Sequence, residues 1–165
     1  MENLTPILQT YSVLAIALAA GTNLSTTIVT IPALLHAPPS TLAVQWKILF
    51  DSAITPVVSL AMSSAVGFAT LAYRETHTVS TSVGKRNLYV AAAVGAFGLA
   101  PYTRLLMWDS IAELEKRAKA GEKREGEEVG GSKTHALVKQ WGTLNLYRGC
   151  MLLVSAGLGL WASVN

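Results

Sequence analysis

Apolar residues dominate four stretches of the chain, near residues 7–35, 51–73, 88–108 and 142–163, separated by polar connections. Each stretch reaches the roughly 20 residues that a helix needs to cross a hydrocarbon core. The pattern predicts an all-α protein, an integral membrane four-helix bundle built as one domain. Pro6 suits the first turn of the first span, where a missing N–H leaves no bond unmade. Pro32 removes a backbone donor near its exit and is expected to kink the last turn.

Composition supports this reading. The 165 residues are 51% hydrophobic and only 14% charged, and the mean hydropathy is +0.39. The opening "MENLTPILQT" carries an acid and no base, so the first span reads as retained rather than as a cleaved signal. The single cysteine, Cys150, has no partner for an intrachain disulfide and sits in an apolar run, where it packs as a small hydrophobe.

The net charge of +3 is spread over the connections, not gathered on one aromatic-laced face, which argues against nucleic acid. It reports topology instead. Lys47, Lys116, Arg117, Lys119, Lys123, Arg124, Lys133 and Lys139 fall on one side, against Arg74, Lys85 and Arg86 on the other. The positive-inside rule makes the richer side cytoplasmic and places both termini in the lumen of the endoplasmic reticulum or another endomembrane.

Small residues recur at four-residue spacing, as Ser59, Ser63 and Gly67 in the second span and Ala92, Ala96 and Ala100 in the third. Such stripes let helices approach closely in lipid. The charged connection at about 109–141 begins as a continuation of the third helix and breaks at Gly121 and at Gly130–Gly131. No internal repeat supports an inverted-repeat transporter. A small transporter would need a homo-oligomer to build its pathway, and nothing in the pattern demands one.

Counting residues by depth brings polar groups from every span to the cytoplasmic half. The first span contributes a stripe of Asn23, Thr26, Thr27 and Thr30, then His36; the second opens at Asp51. The third closes on Tyr102, Arg104 and Asp109, and the fourth opens with Trp141, Asn145 and Arg148. The offsets of the last three put them on one helix face. Arg148 lies about 10 Å into its span at 1.5 Å per residue. An arginine there costs about 2.5–3.5 kcal/mol even on insertion scales, so it either faces the bundle interior, pairs with an acid such as Asp51 or Asp109, or reaches for the headgroups. The opposite half is expected to be nearly free of polar groups. Trp46, Trp108 and Trp141 read as an aromatic belt at the cytoplasmic boundary, with Trp161 anchoring the other one.

His36, His77 and His135 share no ligand spacing, so no dedicated metal site is expected, and a lone His36 is a weak haem ligand. No glycine-rich phosphate loop follows a strand, and no nucleotide cofactor is indicated.

The stretches "GTNLSTTIVTIPALL", "APYTRLLMWDSIAELEKRA" and "WGTLNLYRG" resemble, in order and spacing, a family of small four-helix membrane proteins that includes the fungal anthrone oxygenases. The resemblance covers nearly the whole chain. Its recurring positions fall here on Asn23, Ser25, Pro32, Pro101, Tyr102, Thr103, Met107, Trp141, Leu144, Asn145 and Arg148. One departure is that Asp109, Ser110 and Ile111 stand where the family often shows a Pro-Thr-Asn run. The resemblance implies oxidation of an anthrone to an anthraquinone by molecular oxygen in aromatic polyketide biosynthesis, with no cofactor beyond O2.

Such chemistry needs a base, an oxyanion stabiliser and a dry aromatic cavity. The candidates are His36 or Asp51 as base, and Arg148, Asn145 and Arg104 as oxyanion donors. Asn23, Thr27, Tyr102 and Trp141 would bind substrate. A membrane scaffold that recruits soluble pathway enzymes through the 109–141 connection is the alternative.

Overall fold

A computed structural model describes residues 4–76, 83–121 and 131–165; His77 lies outside them. The chain is all-helical there, with four long helices: α1, Leu4–Leu34; α2, Pro39–Thr76; α3, Val83–Gly121; and α4, Gly131–Val164. Each contains a window apolar enough to cross a membrane. Large apolar side chains such as Leu14, Leu18, Val66, Val94 and Leu153 are more than half exposed around the bundle. An apolar outer surface of this extent suits hydrocarbon rather than water, and the four spans suggest a multi-pass membrane protein.

The helices run well beyond the apolar windows. α2 starts at Pro39 rather than near residue 51, because Pro38–Pro39 initiates a helix readily and Leu42, Ala43 and Trp46 at helical spacing are all buried. At the same end α3 continues to Gly121, burying Ile111, Leu114 and Ala118, and α4 begins at Gly131 and buries Thr134 and Val138. A Cβ on Gly121 would lie 2.9 Å from the Ser40 carbonyl oxygen, so the absence of a side chain lets α3 end against the start of α2. Most of the connection expected at 109–141 is therefore packed helix, leaving residues 122–130 outside the described residues. Hydropathy alone hides the α3 extension because one face of it is charged.

Two apolar cores result. One, deep in the bundle, gathers Ile16, Ala20, Val57, Ala61, Phe68, Tyr89, Ala92, Ala96, Leu99 and Leu152. The other, toward the extended end, gathers Ile31, Leu42, Trp46, Met107, Ile111, Leu114, Val138 and Trp141. Small residues set the close packing of the first: a Cβ on Gly67 would strike the Ser12 hydroxyl, and one on Gly159 would strike the Phe68 ring. Ala92 and Ala96 are fully buried, whereas Ser59 and Ala100, the ends of the small-residue stripes, are exposed.

Three features depart from the sequence-based picture. The half of the bundle expected to lack polar groups contains Gln9 donating to the buried Tyr89 hydroxyl at 2.7 Å, and Tyr89 and Ser163 paired at 3.2 Å. Ser64 there also donates to the Ser12 carbonyl across the α1–α2 contact. Trp46 and Trp141 are buried, not interfacial, while Trp108 and Trp161 are exposed.

The third is local. α1 and α3 each contain one π-helical turn, Thr26–Thr30 and Thr103–Met107, and each lies close to a proline. The N–H of Ile31 reaches back five residues to the Thr26 carbonyl, and Pro32 offers no donor to Ile28. Wide turns of this kind change the facing of side chains along a helix.

Candidate functional site

Between the two apolar cores lies a polar layer. Buried Asn23 and Thr26 come from α1, and buried Asn145 and Arg148 from α4; Thr103 comes from α3. The close approach of α1 and α4 rests on two glycines in "WGTLNLYRG". A Cβ on Gly149 would lie 3.0 Å from Leu24 and 3.2 Å from Asn23, and one on Gly142 would lie 3.4 Å from Ile31. With no side chain at either position, the polar groups between them reach across.

Arg148, 4% exposed, makes four hydrogen bonds. Its Nε and Nη2 donate to Asn23 Oδ1 at 3.1 and 2.6 Å, Nη2 also donates to Asn145 Oδ1 at 2.7 Å, and Nη1 donates to Thr103 Oγ1 at 3.3 Å. A guanidinium has five N–H donors and stays charged, so one Nη1 N–H has no acceptor among the described residues. All its acceptors are neutral. Lys47–Asp51, Lys85–Glu75 and Arg117–Glu113 form ion pairs, whereas Arg148 has no carboxylate partner among the described residues. A buried cation without a counter-ion is costly unless something else supplies negative charge.

The rest of the layer holds that guanidinium in place. Asn145 Nδ2 donates to the Asn23 carbonyl and to Thr27 Oγ1, both at 2.9 Å, and Thr27 in turn donates to the Gly142 carbonyl at 3.2 Å. Asn23 Nδ2 donates to the Ala19 carbonyl at 2.9 Å, which leaves its Oδ1 to face Arg148. Thr103 donates to the Leu99 carbonyl, and Tyr102 donates to the Leu144 carbonyl at 3.0 Å. With both Asn145 N–H groups engaged, the residue positions Arg148 and has no free amide donor of its own.

Arg148, Asn145 and Asn23 line a narrow recess between α1, α2 and α4, with enclosed room for about one water. Thr22, Thr26 and Trp141 also line it, and the α2 wall is wholly apolar: Leu49, Phe50, Ala53, Ile54 and Val57. An apolar wall facing a few converged polar groups is the usual make-up of a small-molecule site.

The structure thus brings together Asn23, Thr27, Asn145, Arg148 and Trp141, with Tyr102 at the edge of the layer. It does not bring in His36, Asp51 or Arg104. His36 is exposed just past α1. Asp51 turns outward to Lys47 at 2.6 Å, so the second helix contributes no polar side chain to the recess. Arg104 is exposed and lies over the Trp108 ring at 4.1 Å, a surface cation–π pair. Among the described residues no three His, Cys, Asp or Glu side chains converge.

Thr103 escaped the choice of candidate site residues, although its depth matches that of Arg148. The α2 wall carries no chemical signal that could have marked it. Because Asp51 and His36 stand apart from the polar layer, Asp51→Ala and His36→Ala are expected to keep turnover within roughly twofold of wild type. Initial rates in isolated membranes, normalised to protein content, check this.

A family model described as "Anthrone oxygenase" matches residues 46–158. The chain is also 31% identical over 153 residues to a protein named "Anthrone oxygenase" from Claviceps purpurea (strain 20.1), covering 87% of this chain and 84% of that one. No solved structure matches it.

Proposed function

Since the chain belongs to the anthrone oxygenase family, we propose that it oxidises an anthrone to an anthraquinone with molecular oxygen in the recess beside Arg148. The observation that carries this reading is the buried guanidinium with only neutral partners and one uncommitted N–H. Such a site favours a ligand that becomes an anion. An anthrone does so when its ring methylene, acidified by two aryl rings and the carbonyl conjugated through them, loses a proton to give a delocalised enolate.

Arg148 binds the developing enolate oxygen, and Asn23, Asn145 and Thr103 hold the guanidinium so that it need not reorganise as charge appears. No carboxylate or imidazole lines the recess among the described residues. The proton therefore passes to water at the mouth, and stabilisation of the anion replaces a dedicated base. The recess widens to admit the rings, and Phe50, Ile54 and Trp141 supply apolar contact for them.

The enolate is electron-rich enough to reduce O2 itself. One electron passes to O2, and the carbon radical and superoxide join in a C–O bond. After protonation, the remaining C–H gives up its proton and the O–O bond breaks to release hydroxide. The carbon becomes a carbonyl; anthrone plus O2 yields anthraquinone plus water, with no other reductant or oxidant. In the same reading the lysine- and arginine-rich end of the bundle faces the cytoplasm, and the termini face the lumen.

Purified protein given an anthrone under air and under argon, with metal analysis alongside, tests the reading. Quinone is expected under air only, with one O2 consumed per quinone formed. An anthrone lifetime in air unaffected by the protein would overturn it, and turnover that requires a bound metal would overturn the cofactor-free route.

A further inference from the structure

One side chain of the recess has no task in this mechanism. Thr26 of α1 is 7% exposed and lines the recess, yet its hydroxyl has no hydrogen-bond partner among the described residues. Its neighbours behave otherwise. The hydroxyls of Thr22, Thr103 and Thr143 each donate to the carbonyl four residues earlier, and that of Thr27 donates to the Gly142 carbonyl. Thr26 stands at the start of the π-helical turn of α1. Nor is its oxygen sealed off in the way the orphan indole nitrogens of Trp46 and Trp141 are.

A buried polar group without a partner calls for an explanation. The enclosed room beside Thr26 and Arg148 is about that of one water, which suits a very small reactant and not three fused rings. A free O–H next to a fixed positive charge also favours an anion over a neutral molecule. In the oxidation above, the small anion formed before the C–O bond is superoxide, made when the enolate passes one electron to O2. The ring system then becomes a neutral radical, so the charge that Arg148 offsets moves onto dioxygen. Arg148 serves both anions in turn: its N–H the enolate oxygen, its charge the superoxide, across an interior where charges act strongly.

We infer that the Thr26 hydroxyl is the hydrogen-bond donor to reduced dioxygen, holding superoxide beside the substrate radical until the two join in the C–O bond. This rests on the anthrone reading above. Without that hold superoxide escapes. Two carbon radicals then couple to a bianthrone, and two superoxides with two protons give hydrogen peroxide and O2. In sum, two anthrones and one O2 yield one bianthrone and one hydrogen peroxide, in place of quinone and water.

The test measures the ratio of quinone to bianthrone formed from anthrone in air, corrected for the reaction without protein, with superoxide release followed by cytochrome c reduction. Quinone dominates in wild type. Thr26→Val keeps the branched shape and removes the hydroxyl; the ratio is expected to fall about tenfold, as loss of one hydrogen bond to an anion implies, and superoxide release to rise. Thr26→Ser restores the ratio. Thr22→Val, which removes a hydroxyl already bonded within α1, leaves the ratio as in wild type. Should Thr26→Val fail to accumulate, Thr26→Ala gives the same reading.

A wild-type ratio in Thr26→Val or Thr26→Ala, an equal fall in Thr22→Val, or no recovery in Thr26→Ser overturns the inference while leaving the oxygenase reading intact. Wild-type protein that does not hasten anthrone oxidation overturns the oxygenase reading itself.

Discussion

Arg148→Ala is expected to lower anthrone turnover by about 10²–10³-fold, the usual loss when a preorganised oxyanion donor is removed from a water-poor site. The protein should still accumulate in membranes, because the substitution removes a buried cation as well as its hydrogen bonds. Losing the guanidinium leaves the Oδ1 atoms of Asn23 and Asn145 without their donor, which costs stability. It also relieves a desolvated charge that no carboxylate offsets, and replacing buried charge is often neutral or favourable. The two effects oppose each other, so function should fall far more than stability. Arg148→Lys sharpens the test: it keeps the charge but not the planar fork that contacts three side chains at once, and turnover should stay well below wild type. Quinone formation in isolated membranes, with immunodetected protein as the reference, measures both. Full activity in Arg148→Ala would sink the catalytic assignment.

Gly149→Val is the second large effect. A single Cβ there already comes within 3.0–3.2 Å of Leu24 and Asn23, so a branched side chain has to push α1 away from α4. Overpacking of this kind typically costs about 1–3 kcal/mol. The displacement falls on the Asn23–Arg148 and Asn145–Asn23 bonds, which span the same contact. Both thermal stability in detergent and turnover should drop together. Gly157 is the control: nothing lies within 4 Å of a Cβ built on it. Gly157→Ala should therefore leave turnover intact and hold or raise stability, by up to about 1 kcal/mol. If Gly149→Val matched wild type in melting temperature and rate, the close α1–α4 approach would not be what assembles the site.

These two experiments separate what could be read along the chain from what could not. Asn145 and Arg148 were legible as a pair because their spacing puts them on one face and their depth makes them costly to expose. Asn23 and Thr27 were legible as part of a polar stripe. Asp51, His36 and Arg104 share that depth, yet their side chains point elsewhere: one to a lysine a turn away, one out past a helix end, one onto an exposed tryptophan. Depth follows from counting residues. Facing depends on how each helix is rotated in the bundle, and the π-turns in α1 and α3 alter that rotation just where the site is built.

Composition and length by themselves determined four membrane-crossing helices, since hydrocarbon leaves the backbone few other ways to satisfy its hydrogen bonds and about twenty apolar residues are needed per crossing. They also determined the level at which polar chemistry gathers. Only the tertiary structure decided which polar groups meet, that Arg148 is buried among neutral acceptors, and that α2 lends an apolar wall rather than an acid. The reason is physical: a helix carries its own hydrogen bonds and can form from local sequence, whereas a site between helices exists only once packing, here through Gly142 and Gly149, has fixed their separation and rotation.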